Sequence, residues 1–392
     1  MSELSLLFLF LLLPVAALSG WFAGRRGSAQ HTGRKVSRLS TTYFRGLNYL
    51  LNEQPDKAIE VFLKLAEVDK QTVETHFALG NLFRRRGEVD RAIRVHQNLI
   101  ARTGLTEEQK TQAVLELGED YMRAGLLDRA ETLFTDLVKL EASAPQALRH
   151  LISIYQQERD WPKAIEHAER FEAATSERTG PMVAQFHCEC VEQSRQRGDL
   201  AGARASLAQA FEAEPNCVRA GILDGQIEVT SGNDQAAIRA FERVARHEPE
   251  MLPEVIGPLM AACERRDESH RARAFLIEMM ERHPGVSPLL ALTRLIERES
   301  GREEAVEFLV RHLRQRPSVR GQGLLIDLSM ADSSPQERDV LQVLKQLTDQ
   351  LVAGSSAYRC GRCGFGARAH HWQCPSCKNW NSVKPIHGPI GE

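Results

Sequence analysis

Residues 118–134 read GEDYMRAGLLDRAETLF, and three of their positions decide the fold: Gly118, Ala130 twelve residues on, and Phe134 four residues after that. The alanine returns as Ala58, Ala92, Ala130, Ala164, Ala203, Ala237, Ala272 and Ala305, at separations of 34, 38, 34, 39, 34, 35 and 33 residues. Gly46, Gly80 and Gly225 precede Ala58, Ala92 and Ala237 by the same twelve residues. Turn clusters stand ahead of most of these alanines, as in Arg86-Gly87-Glu88-Val89-Asp90, Arg197-Gly198-Asp199 and Ser231-Gly232-Asn233-Asp234. Twelve residues after the last four alanines come Pro215, Pro249, Pro284 and Pro317. Each feature has a mechanical reason in a pair of antiparallel helices of about a dozen residues. Small residues allow close backbone approach, a glycine or acidic turn joins the pair, and a proline stops the second helix. A fixed beat of this length is the mark of a stacked array.

The pattern resembles the tetratricopeptide repeat, with Phe62, Phe134 and Phe241 four residues after their alanines. Ile152, Val191, Met260 and Thr293 take the glycine's place in the remaining units, which are divergent. The sequence therefore predicts an all-α, superhelical tetratricopeptide solenoid over residues 39–353, with eight repeats ending near residue 318. A partial ninth is carried by Leu324, Leu325 and Leu328 and then by Val340, Leu341, Leu344, Leu347 and Leu351 at helical spacing. Such an array builds its core between neighbours, has no single active-site cavity, and offers a concave groove to a peptide or a partner helix.

At the N-terminus no charge interrupts Leu4 to Gly24, LSLLFLFLLLPVAALSGWFAG, a run about long enough to cross a hydrocarbon layer of roughly 30 Å as a helix. Only Glu3 precedes it, whereas Arg25, Arg26, Arg34, Lys35, Arg38 and Arg45 follow before Glu53. That asymmetry predicts a transmembrane anchor over residues 1–24 with the body in the cytoplasm. A cleaved secretory peptide would need a basic segment ahead of the apolar run, and there is none. Residues 25–38 read as a basic juxtamembrane linker, able to rest on anionic headgroups.

Four of the eight cysteines, Cys360, Cys363, Cys374 and Cys377, lie in YRCGRCGFGARAHHWQCPSCKNW. Two C-x2-C pairs ten residues apart form two knuckles that close a tetrahedral four-sulfur site for one metal ion. Gly361 and Gly364 are expected to give the first knuckle its left-handed backbone, and Pro375 to stiffen the second. This module spans 354–392 after a flexible hinge at Val352-Ala353-Gly354-Ser355-Ser356. It has too little apolar surface to fold without the ion. The knuckles resemble those of rubredoxin and of small zinc ribbons. His370 and His371 are spare donors at most, and Trp372 and Trp380 are placed to cover the metal or dock the module on the last repeats.

A net charge of −2 gives no whole-chain hold on nucleic acid. The tail alone is locally basic, with Arg359, Arg362, Arg368, Lys378 and Lys384 against Glu392. No zinc-protease, phosphate-loop or nucleophile-elbow motif is present. His76, His96 and His167 read as surface or groove residues, and Cys188 and Cys190 as small buried hydrophobes pointing to different faces. The sequence points to function by binding, without catalytic residues.

An apolar N-terminal span, a tetratricopeptide array and a C-terminal C-G-x-C-G with C-P-x-C, in that order, resemble the lipopolysaccharide assembly protein B (LapB) family of Gram-negative bacteria. The resemblance implies an inner-membrane adaptor that promotes degradation of the lipid A deacetylase LpxC by the membrane protease FtsH. It also implies rubredoxin-type metal ligands at Cys360, Cys363, Cys374 and Cys377, holding iron, with zinc compatible with the same donors. A membrane-tethered co-chaperone with other clients and an electron-transfer protein are the alternative readings.

Overall fold

The computed structural model describes residues 41–52, 54–68, 73–141 and 143–392. The proposed anchor and linker, residues 1–24 and 25–38, lie outside them. Among the described residues no helix is long and apolar enough to cross a membrane. The chain forms two compact units, divided between Glu158 and Arg159.

The first unit runs through α1 (41–51), α2 (Pro55–Val68), α3 (Val73–Arg86), α4 (Val89–Ile100), α5 (Glu107–Ala124), α6 (Leu127–Lys139) and α7 (Ala144–Glu158). The glycine, alanine and aromatic positions act together here. A Cβ added at Gly46 would stand 2.6 Å from the Phe62 ring, and one at Gly118 2.6 Å from Phe134. The aromatic residue four places after the alanine therefore sits on the glycine of the preceding helix, and Ala58, Ala92 and Ala130 are wholly buried beside these seats. In α3 and α4 the seat on Gly80 is taken by His96, 2.4 Å from the added Cβ.

His96 is fully buried, so it is a core residue and not the surface or groove residue its isolation in the sequence suggests. Its Nδ1 lies 2.5 Å from Asp120 Oδ2, and Arg84 holds Asp120 at 2.8 Å and Glu116 at 2.6 Å. A polar aromatic in an apolar seat is thus paired through Nδ1 with a carboxylate, which an arginine holds in turn, while its Nε2, lying over Gly80, is buried without a hydrogen-bond partner. His167, in the second unit, is also buried and bonds the Lys163 carbonyl at 2.8 Å.

The second unit begins with α8 (Trp161–Thr175), α9 (Gly180–Gln196), α10 (Leu200–Ala213), α11 (Val218–Thr230) and α12 (Asp234–His247). After a 3-10 turn (Pro249–Met251) come α13 (Leu252–Arg265), α14 (Ser269–Arg282), α15 (Ser287–Ser300), α16 (Arg302–Gln315), α17 (Val319–Met330) and α18 (Pro335–Gly354). Helices α10, α12, α14 and α16 each end two residues before Pro215, Pro249, Pro284 and Pro317, because proline disfavours helical geometry in the residue before it. The Gly225–Phe241 seat repeats the first unit's geometry, at 2.4 Å.

Where the glycine is replaced, the aromatic is replaced as well. Val191 is accompanied by Leu207, Met260 by Leu276 and Thr293 by Leu309. A larger residue on one helix is balanced by a smaller one on the other, which conserves core volume. The ninth helix pair, α17 and α18, is complete, and α18 continues into the predicted hinge as far as Gly354, leaving Ser355 and Ser356 outside the helix. Asp349 follows Lys345 by one turn and pairs with it at 2.8 Å.

The chain then forms three short strands, β1 (Tyr358–Cys360), β2 (Gly366–Ala367) and β3 (Val383–Pro385). They make an antiparallel sheet in the order β2-β1-β3.

Candidate metal centre

The two knuckles are built alike. Cys360 N–H donates to Phe365 O at 2.8 Å and Gly364 N–H to Cys360 O at 3.0 Å; Cys374 N–H donates to Asn379 O and Lys378 N–H to Cys374 O, both at 2.9 Å. The left-handed residue is the fourth after the first cysteine in each, Gly364 at φ 77° and Lys378 at φ 57°. Gly364 thus behaves as the sequence predicts, whereas Gly361 does not adopt left-handed backbone. Its N–H instead donates to Ser382 O at 2.8 Å and ties the knuckle to the segment entering β3.

These turns bring Cys360, Cys363, Cys374 and Cys377 together, all four Sγ atoms lying within 4.8 Å of one another. Cys360 to Cys377 and Cys363 to Cys374 are each 3.7 Å. A tetrahedron with metal–sulfur bonds of about 2.3 Å has edges of about 3.8 Å, so the donor set fits one tetrathiolate ion. The Ser382 hydroxyl, 3.3 Å away, and then the amides of Cys363 and Arg362 pull the Cys360 thiol down to about 6, while burial and the three neighbouring thiols push Cys377 up to about 11, so the four sulfurs share their protons as one cluster. His370 is no ligand: its Nε2 bonds Val383 O at 3.2 Å and its ring lies against Tyr358 and Trp372. Elsewhere burial pushes the Cys190 and Cys263 thiols up to about 11; Cys263, like Cys188, is a core residue, whereas Cys190 is only half-buried and not the buried hydrophobe its sequence suggests.

The module is docked along the second unit. The Trp380 ring meets Trp161 of α8 at 6.3 Å and Phe186 of α9 at 6.0 Å. Arg219 of α11, buried to 3% exposure, presents its guanidinium to Trp372 at 5.7 Å and to Trp380 at 5.9 Å. Glu189 and Glu192 hold Arg219 at 2.8 and 2.7 Å. Tyr358 bonds Glu254 of α13, and Lys384 pairs with Glu248 at 3.4 Å. At the far end the Glu392 carboxylate accepts from the Ser287 N–H at 3.1 Å, capping α15, and pairs with Arg320. Trp372 and Trp380 are therefore docking residues, and Trp380 reaches α8 and α9, well before the last repeats. Neither Arg219 nor the Glu392 cap was visible in the sequence, since each lies far along the chain from the group it meets.

Among known proteins, the rubredoxin metal binding domain family matches residues 358–385. Tetratricopeptide repeat families match residues 75–110, 115–178 and 195–250. The chain is 38% identical over 384 residues to lipopolysaccharide assembly protein B of Escherichia coli K12, covering 98% of this chain and 99% of that protein. To the protein of the same name from Haemophilus influenzae it is 34% identical over 387 residues, covering 96% and 98%.

Proposed function

Because the chain belongs to the lipopolysaccharide assembly protein B family, we propose that it is a non-catalytic adaptor that limits lipopolysaccharide synthesis by presenting the deacetylase LpxC to the membrane protease FtsH. The observation that carries this reading is the near-full-length kinship to proteins of lipopolysaccharide assembly, joined to a repeat array with a metal module docked on it. Repeat arrays act by binding along their faces. Between α13, α15, α17 and α18 a cleft of about 580 Å³ is lined by Gly257, Ala291, Arg294, Gly323, Lys345 and Asp349, a mixed-charge surface suited to a polypeptide client.

In this reading residues 1–24 anchor the chain in the inner membrane, 25–38 form a basic leash on the cytoplasmic side, 39–353 are the array and 354–392 the metal module. Tethering adaptor, protease and substrate to one surface raises their effective concentration without new contacts. Cys360, Cys363, Cys374 and Cys377 hold one ion, iron by family resemblance, with zinc fitting the same thiolates. The ion supplies the cross-link between the knuckles, and the module in turn lays Trp372 and Trp380 over Arg219.

Depleting the protein should lengthen the deacetylase's half-life, measured by pulse-chase, and raise lipopolysaccharide content. An unchanged half-life would replace this reading with that of a co-chaperone serving other clients. A membrane-impermeant thiol probe should leave a cysteine introduced just after Arg45 unlabelled in intact cells, and labelling there would reverse the topology. Elemental analysis of the purified protein identifies the ion.

A further inference from the structure

Helix α18, PQERDVLQVLKQLTDQLVAG, closes the array. The last helix of a repeat stack ordinarily turns a polar face to water. Here Val340, Val343, Leu344, Leu347 and Leu351 form a single helical stripe and are 62, 55, 44, 53 and 60% exposed. The helix's own packing does not use this stripe: Thr348, buried to 5%, lies on the face toward α17, and Lys345 reaches Asp327 there at 3.6 Å.

We propose that this stripe seats the same stripe of a second copy of the chain, the two α18 helices lying antiparallel about an axis between Lys345 and Gln346. That register opposes Val340 to Leu351 and Leu344 to Leu347, so four of the five large aliphatic side chains of the stripe meet another, while Val343 falls at the edge of the seam opposite Thr348. The charges fit it as well. Glu337, Arg338 and Asp339 are confined to the start of the helix, while Gln350 to Gly354 carry none, so the charged end of each copy faces the neutral end of the other. A parallel pair would set Glu337 and Asp339 against themselves, which repels. The remaining charges, Lys345 and Asp349, point away from the stripe and neutralise each other at 2.8 Å. A lipid surface fits poorly, because interfacial helices border the apolar face with Lys and Arg, whereas Asp339, Gln346 and Gln350 border this one. An interface of one helix per copy lies at the small end of specific association, below about 1,200 Å² in total, so the dimer is reversible.

The test uses the full-length chain in cells, with the photo-cross-linking residue p-benzoylphenylalanine introduced at Val340. Irradiation should give an adduct of twice the chain mass, in which mass spectrometry joins position 340 to the neighbourhood of Leu351. Leu344→Glu with Leu347→Glu, both at exposed positions, should lower its yield roughly tenfold or more while leaving the helical circular dichroism unchanged. A junction to positions 340–343 of the second copy would overturn the antiparallel pairing. An adduct with another polypeptide or with lipid, no adduct, or a yield indifferent to the double substitution would overturn the proposal altogether.

Discussion

The repeat array and the metal module solve the same problem at opposite extremes. In the array the stabilising unit is small and repeated, an aromatic or leucine laid on a glycine or its replacement, as at Gly118 and Phe134 or Gly225 and Phe241. No single seat is indispensable, because each hairpin leans on its neighbours. The module has strands of three, two and three residues, and its buried cluster is Cys360, Cys374 and Val383. Two of those three are metal ligands, so the core of the module is its site. A distributed core tolerates damage in proportion; a core made of ligands fails as a whole.

The largest expected effect tests that contrast directly. Cys374→Ser, or removal of the ion by a chelator, should forfeit a folding free energy on the order of 10 kcal/mol and unfold residues 358–385. The helical signal should stay nearly intact while Trp372 and Trp380 emission shifts to the red. A collapse of the helical signal would mean that the module holds the array together, and the contrast would fail.

Next comes the joint between the two regions. Arg219→Ala removes a buried cation from beneath Trp372 and Trp380 and leaves Glu189 and Glu192 without it. Docking should weaken by about 3 kcal/mol, seen as faster amide exchange in 358–385 with the metal still bound. Metal loss in this variant would show that docking, and not only the ion, folds the module.

Within the array, Gly225→Ala places a Cβ against the Phe241 ring and should cost about 2 kcal/mol of thermal stability. Adding Phe241→Leu should recover part of that loss, reproducing the pairing that Val191 makes with Leu207. If the double variant is no better than the single one, the seats are not volume-matched pairs.

How much of this was legible in the sequence follows from range. The alanine beat, the glycine seats and the proline stops are short-range and repeat, so they show as periodicity, and the cysteine spacing reports a local turn. His96 was misread because its chemistry was weighed before its position: it stands four residues after Ala92, where Phe62 and Phe134 stand in their own repeats. The docking of Trp380 on Trp161 joins residues more than half the chain apart, and no local pattern encodes it. The glycine and serines after Val352 suggested a hinge, yet α18 continues to Gly354, since one glycine in a last helical turn costs only about 1 kcal/mol. The apolar N-terminal span lies outside the described residues and rests on its sequence alone.

The smallest effect probes how far the repeats are interchangeable. Arg265, near the end of α13, pairs with Asp234, at the start of α12, at 2.6 Å; Arg86 and Asp56 make the same bridge between α3 and α2. In the last pair the signs are exchanged: Arg302 stands at the start of α16, and Asp332, just past α17, meets it at 2.6 Å. The geometry is thus kept while the polarity is not, which is the behaviour of a surface pair whose Coulomb term is weak and screened by solvent. Arg302→Ala should lower stability by no more than about 0.5 kcal/mol, and the exchanged pair Arg302→Asp with Asp332→Arg should be indistinguishable from the parent in a thermal melt at about 0.15 M salt, where the Debye length is near 8 Å. A loss of several degrees in the exchanged pair would show that the bridge sets the register of the last repeats, and the distributed array would then contain one joint on which its end depends.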